Sequence, residues 1–355
     1  MSPATEFDDA QVLSEGSPEL DDAWVRALAQ ERWGIAGEMK PLTGERDRNY
    51  RLERASDGAR FMLKISHPAE TPLVADFQTQ ALLHLAKADP ALPVQRIVPT
   101  LDGAASIVVD PGDGLPRVAR VFTYLPGLPL PEAPRTPLQQ QNLARMLARL
   151  DVALAGFDHP AGDLPLPWDL QRAESVRGLL AHIADADRRA LATAALDRFE
   201  HAAQPVLRTL PAQPIHNDFN IYNVLVDPQD TDRIAAILDF GDMVRAPCID
   251  DLAVAAAYQI GTDDDPLGPF AHIVPFVAAY HAVRPLSATE LDLLFTLITA
   301  RLVMVVAISG WRAARYPENA AYLLRNNPLS WARLQACERV GHAAATRAFR
   351  SACGL

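Results

Sequence analysis

The sequence predicts an α+β protein of two lobes, a small β-rich lobe followed by a large, mostly helical one. Three observations predict it. Alternating apolar runs separated by glycine-bearing turns fill the region before residue 125. The stretch "LPGLPLPEAPRTP" at 125–137 then places a proline at every second or third position, which regular structure does not tolerate. Beyond it, apolar residues recur at the helical period almost to the carboxyl end. A chain of 355 residues is long enough for two lobes. The expected boundaries are an acidic tail at 1–19, the small lobe at 20–124, the joint at 125–137 and the helical lobe at 138–355.

In the small lobe, Leu20, Trp24, Ala27 and Leu28 share a face of a helix over 20–33. Asp21 and Asp22 fall in its first turn, where the helix dipole favours negative charge. "GEMKPLT", "NYRLERA" and "RFMLKI" read as strands, the last two joined by the glycine turn "SDGA" at 56–59. A helix over 72–87 carries Leu73, Phe77, Ala81, Leu82 and Leu85 on one face, and "AASIVVD" and "RVARVFTYL" are two further strands. In the large lobe, helices are expected over 138–155, 171–208, 250–260, 267–283, 287–315 and 328–350. The one strand-like pair there is "NVLVD" with "RIAAILDF", joined by the polar "PQDTD". A joint between two lobes makes a cleft, a common place for ligands.

Composition narrows the function. Hydrophobic residues at 49% and charged residues at 22% are an ordinary globular balance. A net charge of −11 argues against nucleic acid or anionic membrane as a partner, since both need a basic surface. The same charge suits a cationic or zwitterionic small ligand. Cys248, Cys337 and Cys353 are widely spaced, with no CxxC, and read as reduced cytoplasmic thiols. The opening "MSPATEFDDAQVLSEGSPELDD" has no basic region followed by an apolar run, so it does not read as a signal peptide. "LFTLITARLVMVVAISGW" at 294–311 is apolar enough for a membrane span, but Arg301 at its middle would cost about 2.5–3.5 kcal/mol in lipid. It reads as a buried helix of the core, with its use as a homodimer face left open.

The chemistry concentrates in "PIHNDFNIYNVLVD" and "ILDFGD". Asp218 and Asn223 stand five residues apart as D-x-x-x-x-N, and Asp239 follows sixteen residues after Asn223, directly before Phe240 and Gly241. The strand pair lies between them, so hairpin geometry sets Asn223 and Asp239 face to face. One carboxylate and one amide carbonyl make a hard-oxygen pair that leaves Mg²⁺ its other positions for phosphate oxygens and water. Asp218 lies one short loop away, placed to orient an acceptor hydroxyl and take its proton, the division of labour phosphoryl transfer needs. Taken singly, each of these residues is more readily a turn former or a strand-end aspartate; the joint pattern carries the functional reading.

A phosphate-contacting lysine is also needed. Of Lys40, Lys64 and Lys87 in the small lobe, only Lys64 lies mid-strand, in "FMLKI". The turn "LTGERDRNYRL" ahead of it, with Gly44 and Asn49, would cover the phosphates, although a single glycine is a weak signal. No Walker lysine motif, H-E-x-x-H, zinc-ligand spacing or G-x-S-x-G occurs in the sequence.

These motifs resemble the aminoglycoside phosphotransferase and choline kinase superfamily, whose fold is the protein-kinase-like two-lobe architecture. "IHNDFNIYNVLV", "ILDFGDMV", "LTGERDRNYRL" and "RVFTYLPG" resemble its hydroxylysine kinase branch most closely, and the resemblance covers about residues 20–340. It implies Asp218 as the catalytic base, Asn223 and Asp239 as Mg²⁺ ligands, and Lys64 on the α- and β-phosphates of ATP or GTP. It also implies a hinge of Phe122, Thr123, Tyr124 and Leu125 whose backbone bonds the purine. Asp251 would brace the catalytic loop through backbone amides, and His216 would pack beneath that loop. The sequence departs from the family twice. Asn217 stands where many relatives have glycine, and the helix that usually supplies a glutamate to the strand lysine offers only Asp76, Gln78 and Gln80. Asp76 or Gln78 is then the expected substitute, unless the pair is absent. The expected activity is a small-molecule kinase acting on an alcohol with an amine or an amino-acid-like body, with Asp242 and Asp250 as carboxylates to meet the amine. Homoserine, choline-type and aminoglycoside acceptors stay open, as does a nucleotide-binding module without catalysis. A kinase acting on protein is disfavoured, because "DFGDMVRAPCIDDLAV" enters a helix with no room for an activation loop.

Overall fold

Asp21 starts the first helix, α1 (Asp22–Trp33), by accepting from the amides of Ala23 and Trp24, and Gly34 ends it in the left-handed conformation. In this computed structural model, which describes residues 18–42, 44, 46–262 and 268–355, all but Pro18 and Glu19 of the expected acidic tail lie outside the described residues. Val25, Ala29 and Trp33 are buried on α1 whereas Ala27 is exposed, so the inward face runs beside the expected one.

The small-lobe strands are β1 (Gly37–Leu42), β2 (Arg48–Arg54) and β3 (Arg60–Ile65). After helix α2 (Pro72–Ala88) come β4 (Ile97–Val98), β5 (Ile107–Val109) and β6 (Arg117–Thr123). They form one antiparallel sheet in the order β1-β2-β3-β6-β4, with β5 also paired to β6. The two-residue β4 is too short for any periodicity to reveal. Side chains alternate between the faces of a strand. Tyr50, Leu52, Leu63, Ile65, Ala119 and Val121 therefore pack with α1, while Asn49, Met62, Lys64, Arg120 and Phe122 turn to the interlobe cleft.

Helix α2 buries Phe77, Ala81, Leu82 and Leu85 but leaves Leu73 44% exposed, a correction to its expected face. It is bolted to the large lobe: Phe77 stacks on Phe157 and His159, Asp76 lies 3.2 Å from His159, and Asp89 takes Arg149 at 2.6 Å. The proline-rich joint is also more regular than expected. Leu128–Pro129 forms strand β7 against Val226 and Leu225, followed by a 3₁₀ turn at Leu130–Glu132. Pro129 is tolerated because β7 is an edge strand.

The large lobe opens with α3 (Pro137–Leu154). The single helix expected over 171–208 is instead 3₁₀ turns at Leu170–His182, then α4 (Ala186–Arg198) capped by Asp185, a π turn at Phe199–Ala203 and α5 (Gln204–Leu207). Two short ladders follow. Strand β8 (Gln213–Ile215) pairs with β11 (Val244–Ala246), which the sequence analysis does not foresee, and β9 (Val224–Val226) lies between β7 and β10 (Ile234–Ile237). Helices α6 (Cys248–Ala257), α7 (Ile273–His281), α8 (Ala288–Arg315), α9 (Ala320–Leu323), α10 (Asn327–Val340) and α11 (His342–Ala352) complete the lobe. Gly341, at φ 77°, divides α10 from α11 where one helix is expected.

Helix α8 starts at a full capping box between Ser287 and Glu290 and is the central helix of the lobe. By length and composition it could cross a membrane, yet 89% of its apolar window is buried inside the protein, as in a core helix apolar on every side. Its apolar surface is thus covered largely within the chain.

Asp250 is a second correction. Expected from the sequence to meet an amine-bearing substrate, it is instead fully buried at the start of α6, and neither carboxylate oxygen has a hydrogen-bond partner. Burial pushes its pKa well up, with Asp169 and Asp251 adding to the shift. A carboxyl whose folded pKa exceeds its unfolded one holds a proton in the native state that the unfolded chain has lost, so its contribution to stability declines as pH rises. Asp250→Asn should therefore gain stability relative to the parent chain as pH rises above the ordinary carboxylate range, by up to about 1.4 kcal/mol per pH unit. Urea melts at a series of pH values above that range check it; a pH-independent difference would contradict the assignment.

Candidate active site

Two cavities meet at the loop between β8 and β9. The first, with about 190 Å³ of space, lies between the lobes and is lined by Asn49, Lys64, Asn223 and Asp239 among its polar residues and by Met62, Leu82, Phe122 and Leu238 among its apolar ones. The second, with about 150 Å³ of space, lies within the helical lobe and is lined by Asp218, Asp242, Trp168, Tyr258 and residues of α8 and the segment after it.

The loop is held from below. Asp251, buried in the first turn of α6, accepts from the amides of His216 at 2.9 Å and Asn217 at 2.9 Å. His216 accepts from the Asp218 amide at 3.3 Å through Nδ1, pairs through Nε2 with the Leu238 carbonyl at 3.0 Å, and packs edge-on against Phe219 and Phe240. Asn217 adopts φ 63°, a conformation asparagine enters more readily than most residues. Its side-chain amide donates to the Asp242 carbonyl at 3.0 Å, a bond glycine could not make. Together these contacts aim Asp218 between the cavities.

Asp218 Oδ2 accepts from Asn220 Nδ2 at 2.8 Å and Asn223 Nδ2 at 2.7 Å, while Oδ1 faces an Arg301 amino group at 3.2 Å. Burial raises its pKa to about 6; Arg301 and the two amides oppose that rise, and Asp239 adds to it. Arg301 itself is 2% exposed, lies over the Trp168 ring and donates to the Trp168 carbonyl. The charge that argues against a membrane span is thus the partner of Asp218. A buried arginine in an apolar helix needs such a partner, so the sequence held a signal for this pairing.

The β9–β10 hairpin sets Asn223 beside Asp239, because Leu238 donates to the Asn223 carbonyl at 2.8 Å. With Asn223 Nδ2 turned to Asp218, its Oδ1 is the atom left for the cleft. Asp239 also has a left-handed backbone, φ 59°, and accepts from the Gly241 amide at 3.1 Å. A Cβ on Gly241 would lie 2.9 Å from the Asp239 carboxylate and would push that side chain aside.

Lys64 Nζ lies 2.8 Å from Asp47 and 3.9 Å from Asp239. Burial alone would lower its pKa, but Asp47 and then Asp239 outweigh this and raise it. Asp47 is the partner that the sequence reading missed. Neither expected substitute serves: Gln78 accepts from Arg120 at 3.0 Å, and Asp76 is on His159. Asp47 precedes β2 and is pinned by the His67 amide at 2.9 Å. A Cβ on Gly44 would come within 2.5 Å of the Asp47 carbonyl oxygen and 2.7 Å of the Asn49 amide, so glycine is required for this turn to close. Lys64→Met should weaken binding of a fluorescent ADP analogue about ten- to a hundredfold, and Asp47→Asn should weaken it by a smaller factor. Unchanged affinity in Asp47→Asn would reduce that pair to a structural one.

The hinge residues are only partly in the cleft. Phe122 lines it, whereas Thr123, Tyr124 and Leu125 do not, and the Thr123 and Tyr124 amides are committed to the Arg96 and Arg60 carbonyls. Asp242 lines the second cavity, and its pKa is raised to about 7 by burial, then by Asp218 and Asp239.

A nucleotide and a divalent cation fit these residues. The cleft combines apolar walls with the cationic Lys64 and Arg120, and Asn49 Oδ1 is buried there without a hydrogen-bond partner. Among the described residues no group of three or more His, Cys, Asp or Glu forms a metal site. Asp239 and Asn223 offer oxygen donors that phosphate oxygens would complete.

Comparison with known proteins agrees with this geometry. The model of the phosphotransferase enzyme family, APH, matches residues 38–286. Hydroxylysine kinase of Mus musculus is 26% identical over 347 residues, covering 92% of this chain and 91% of the relative. Hydroxylysine kinase of Danio rerio is 28% identical, covering 87% and 89%. Among solved structures, the amicoumacin kinase hAmiN in complex with AMP-PNP, Ca²⁺ and Ami superposes with a TM-score of 0.68 at 15% identity, over 95% of this chain and 97% of that one. A microcompartment-associated aminopropanol kinase superposes with a TM-score of 0.67 at 22% identity, over 92% and 100%. The two-lobe fold is the protein-kinase-like one. The chain belongs to the APH phosphotransferase enzyme family and is a small-molecule kinase, a phosphotransferase that acts on a hydroxyl group.

Proposed function

We propose that the protein transfers the γ-phosphoryl group of ATP or GTP, with Mg²⁺, to the hydroxyl of an amine-bearing, amino-acid-like molecule of the hydroxylysine type, in the cytoplasm. The observation that carries the reading is the position of Asp218. It lines the second cavity while bonding Asn223, which lines the first. An acceptor in one cavity and a triphosphate in the other would meet at this carboxylate.

In this reading Asp218 accepts the proton of the acceptor hydroxyl as its oxygen bonds to the γ-phosphorus and the bond to the β-phosphate oxygen breaks, releasing the nucleoside diphosphate. Arg301 keeps Asp218 ionised against the cost of its burial. Lys64 holds phosphate oxygens, and its two carboxylate neighbours keep it protonated. Asp239 and the Asn223 carbonyl would hold Mg²⁺, which when bound neutralises phosphate charge. Asp242, beside Asp218, suits an amine next to the reacting hydroxyl. Support for a hydroxylated amino acid comes from the relatives named hydroxylysine kinase. The test is a screen of diphosphate release over hydroxylated amino acids, amino alcohols, choline and aminoglycosides, with both purine nucleotides. Hydroxylysine should stand out. A folded protein that binds nucleotide and turns over none of these acceptors would overturn the proposal.

A further inference from the structure

Helix α8 lays a stripe of side chains along the second cavity: Arg301, Val305, Ser309 and Arg312. Their spacings of four, four and three residues keep them on one helical face across about three turns, an axial span of about 16 Å. Arg301 at one end serves Asp218, beside Asp242. Arg312 at the other end shares the cavity lining with Arg325, which lies past α9. Arg325 is exposed, its guanidinium is 3.8 Å from the Tyr322 ring, and it donates to the Tyr322 carbonyl. Tyr222, in the turn before β9, donates to Asn326 at 2.9 Å and thereby ties this arginine-bearing segment to the catalytic loop. The cavity thus has Asp218 and Asp242 at one end, where Arg301 is already paired with Asp218, and Arg312 and Arg325 at the other, where no carboxylate among the described residues lines it.

Resting on the proposed kinase reading, we infer that Arg312 and Arg325 read a carboxylate on the acceptor. The acceptor would be an extended amino acid whose hydroxyl and neighbouring amine lie at Asp218 and Asp242 and whose carboxylate points along α8 towards Arg312 and Arg325, whose long side chains reach back into the cavity to meet it. Guanidinium forks match carboxylates in planar, two-bonded geometry, whereas amino alcohols, choline and aminoglycosides present no carboxylate to them. The arginine pair is then the element that selects an amino acid over an amine of the same length.

The experiment compares kcat/KM for hydroxylysine with that for the diamine left when its carboxyl group is removed, using the full chain and MgATP. The parent protein should prefer the amino acid by on the order of a hundredfold, the scale of losing one charge-paired contact. Arg312→Met and Arg325→Met should each shrink that ratio at least tenfold, and Arg325→Lys, which keeps the charge without the fork, should restore part of it. A nucleotide-dependent rise in melting temperature shows that each variant is folded. Because Arg325 is exposed, its two variants carry the test even where Arg312→Met unfolds. Equal use of both acceptors by the parent, or an unchanged ratio in the Arg325 variants, would overturn the inference while leaving the kinase reading intact. Use of neither acceptor would also overturn the inference, and the kinase reading would then stand or fall on the wider acceptor screen.

Discussion

Asp218→Asn should cut kcat by about 10²–10⁴ while leaving nucleotide affinity within a few-fold of the parent. Asparagine keeps the size of the side chain but cannot accept the hydroxyl proton. Asp218 does not line the nucleotide cleft, so the loss should fall on turnover rather than on nucleotide binding. The measurement pairs steady-state diphosphate release with titration of a fluorescent ADP analogue. A parallel loss of both would mean that Asp218 only holds the loop together, through its bonds to Asn220 and Asn223. Unchanged turnover would remove it from the chemistry.

Asp239→Asn should have an effect of similar size by another route. Asparagine is chosen because the backbone there sits at φ 59°, which asparagine tolerates, so a loss cannot be assigned to strain. The substitution removes the carboxylate expected to hold Mg²⁺ and one of the two carboxylates that keep Lys64 charged. Turnover should fall by about 10²–10³ or more. Nucleotide binding, measured calorimetrically with and without Mg²⁺, should lose its dependence on the cation. A variant that still binds MgADP more tightly than ADP would contradict the metal assignment.

Different parts of this site were legible to different degrees. The Asp218, Asn223 and Asp239 constellation could be read because a hairpin of ordinary length forces its ends together, and the structure does bring the three together with Lys64. Asp251 could be read as a residue beneath the loop, and it bonds the amides of His216 and Asn217. What escaped was set by tertiary packing. Asp47 reaches Lys64 across a turn whose closure depends on Gly44 having no side chain. No spacing rule points from residue 47 to residue 64, and the sequence offers Asp76 and Gln78 of α2 as the nearer expectation. Asp250 reads from the sequence as a carboxylate that could meet an amine, but the packing of α6 buries it. The ladder of β8 and β11 and the two residues of β4 are too short to carry a period of two. The long stretch over 171–208 kept its helical character but broke at Asp185, whose side chain caps the next helix more effectively than it sits within one. Arg301 was legible in half: its place in an apolar helix demanded a partner, but only the fold shows that the partner is Asp218.

Phosphorus-31 NMR of the purified protein with MgATP and hydroxylysine tests the central claim most directly. A new phosphomonoester resonance should grow in step with ADP, and it should vanish in Asp218→Asn and on chelation of the metal. ADP accompanied by free phosphate alone, or a phosphomonoester that forms as fast in the Asp218 variant, would contradict the account.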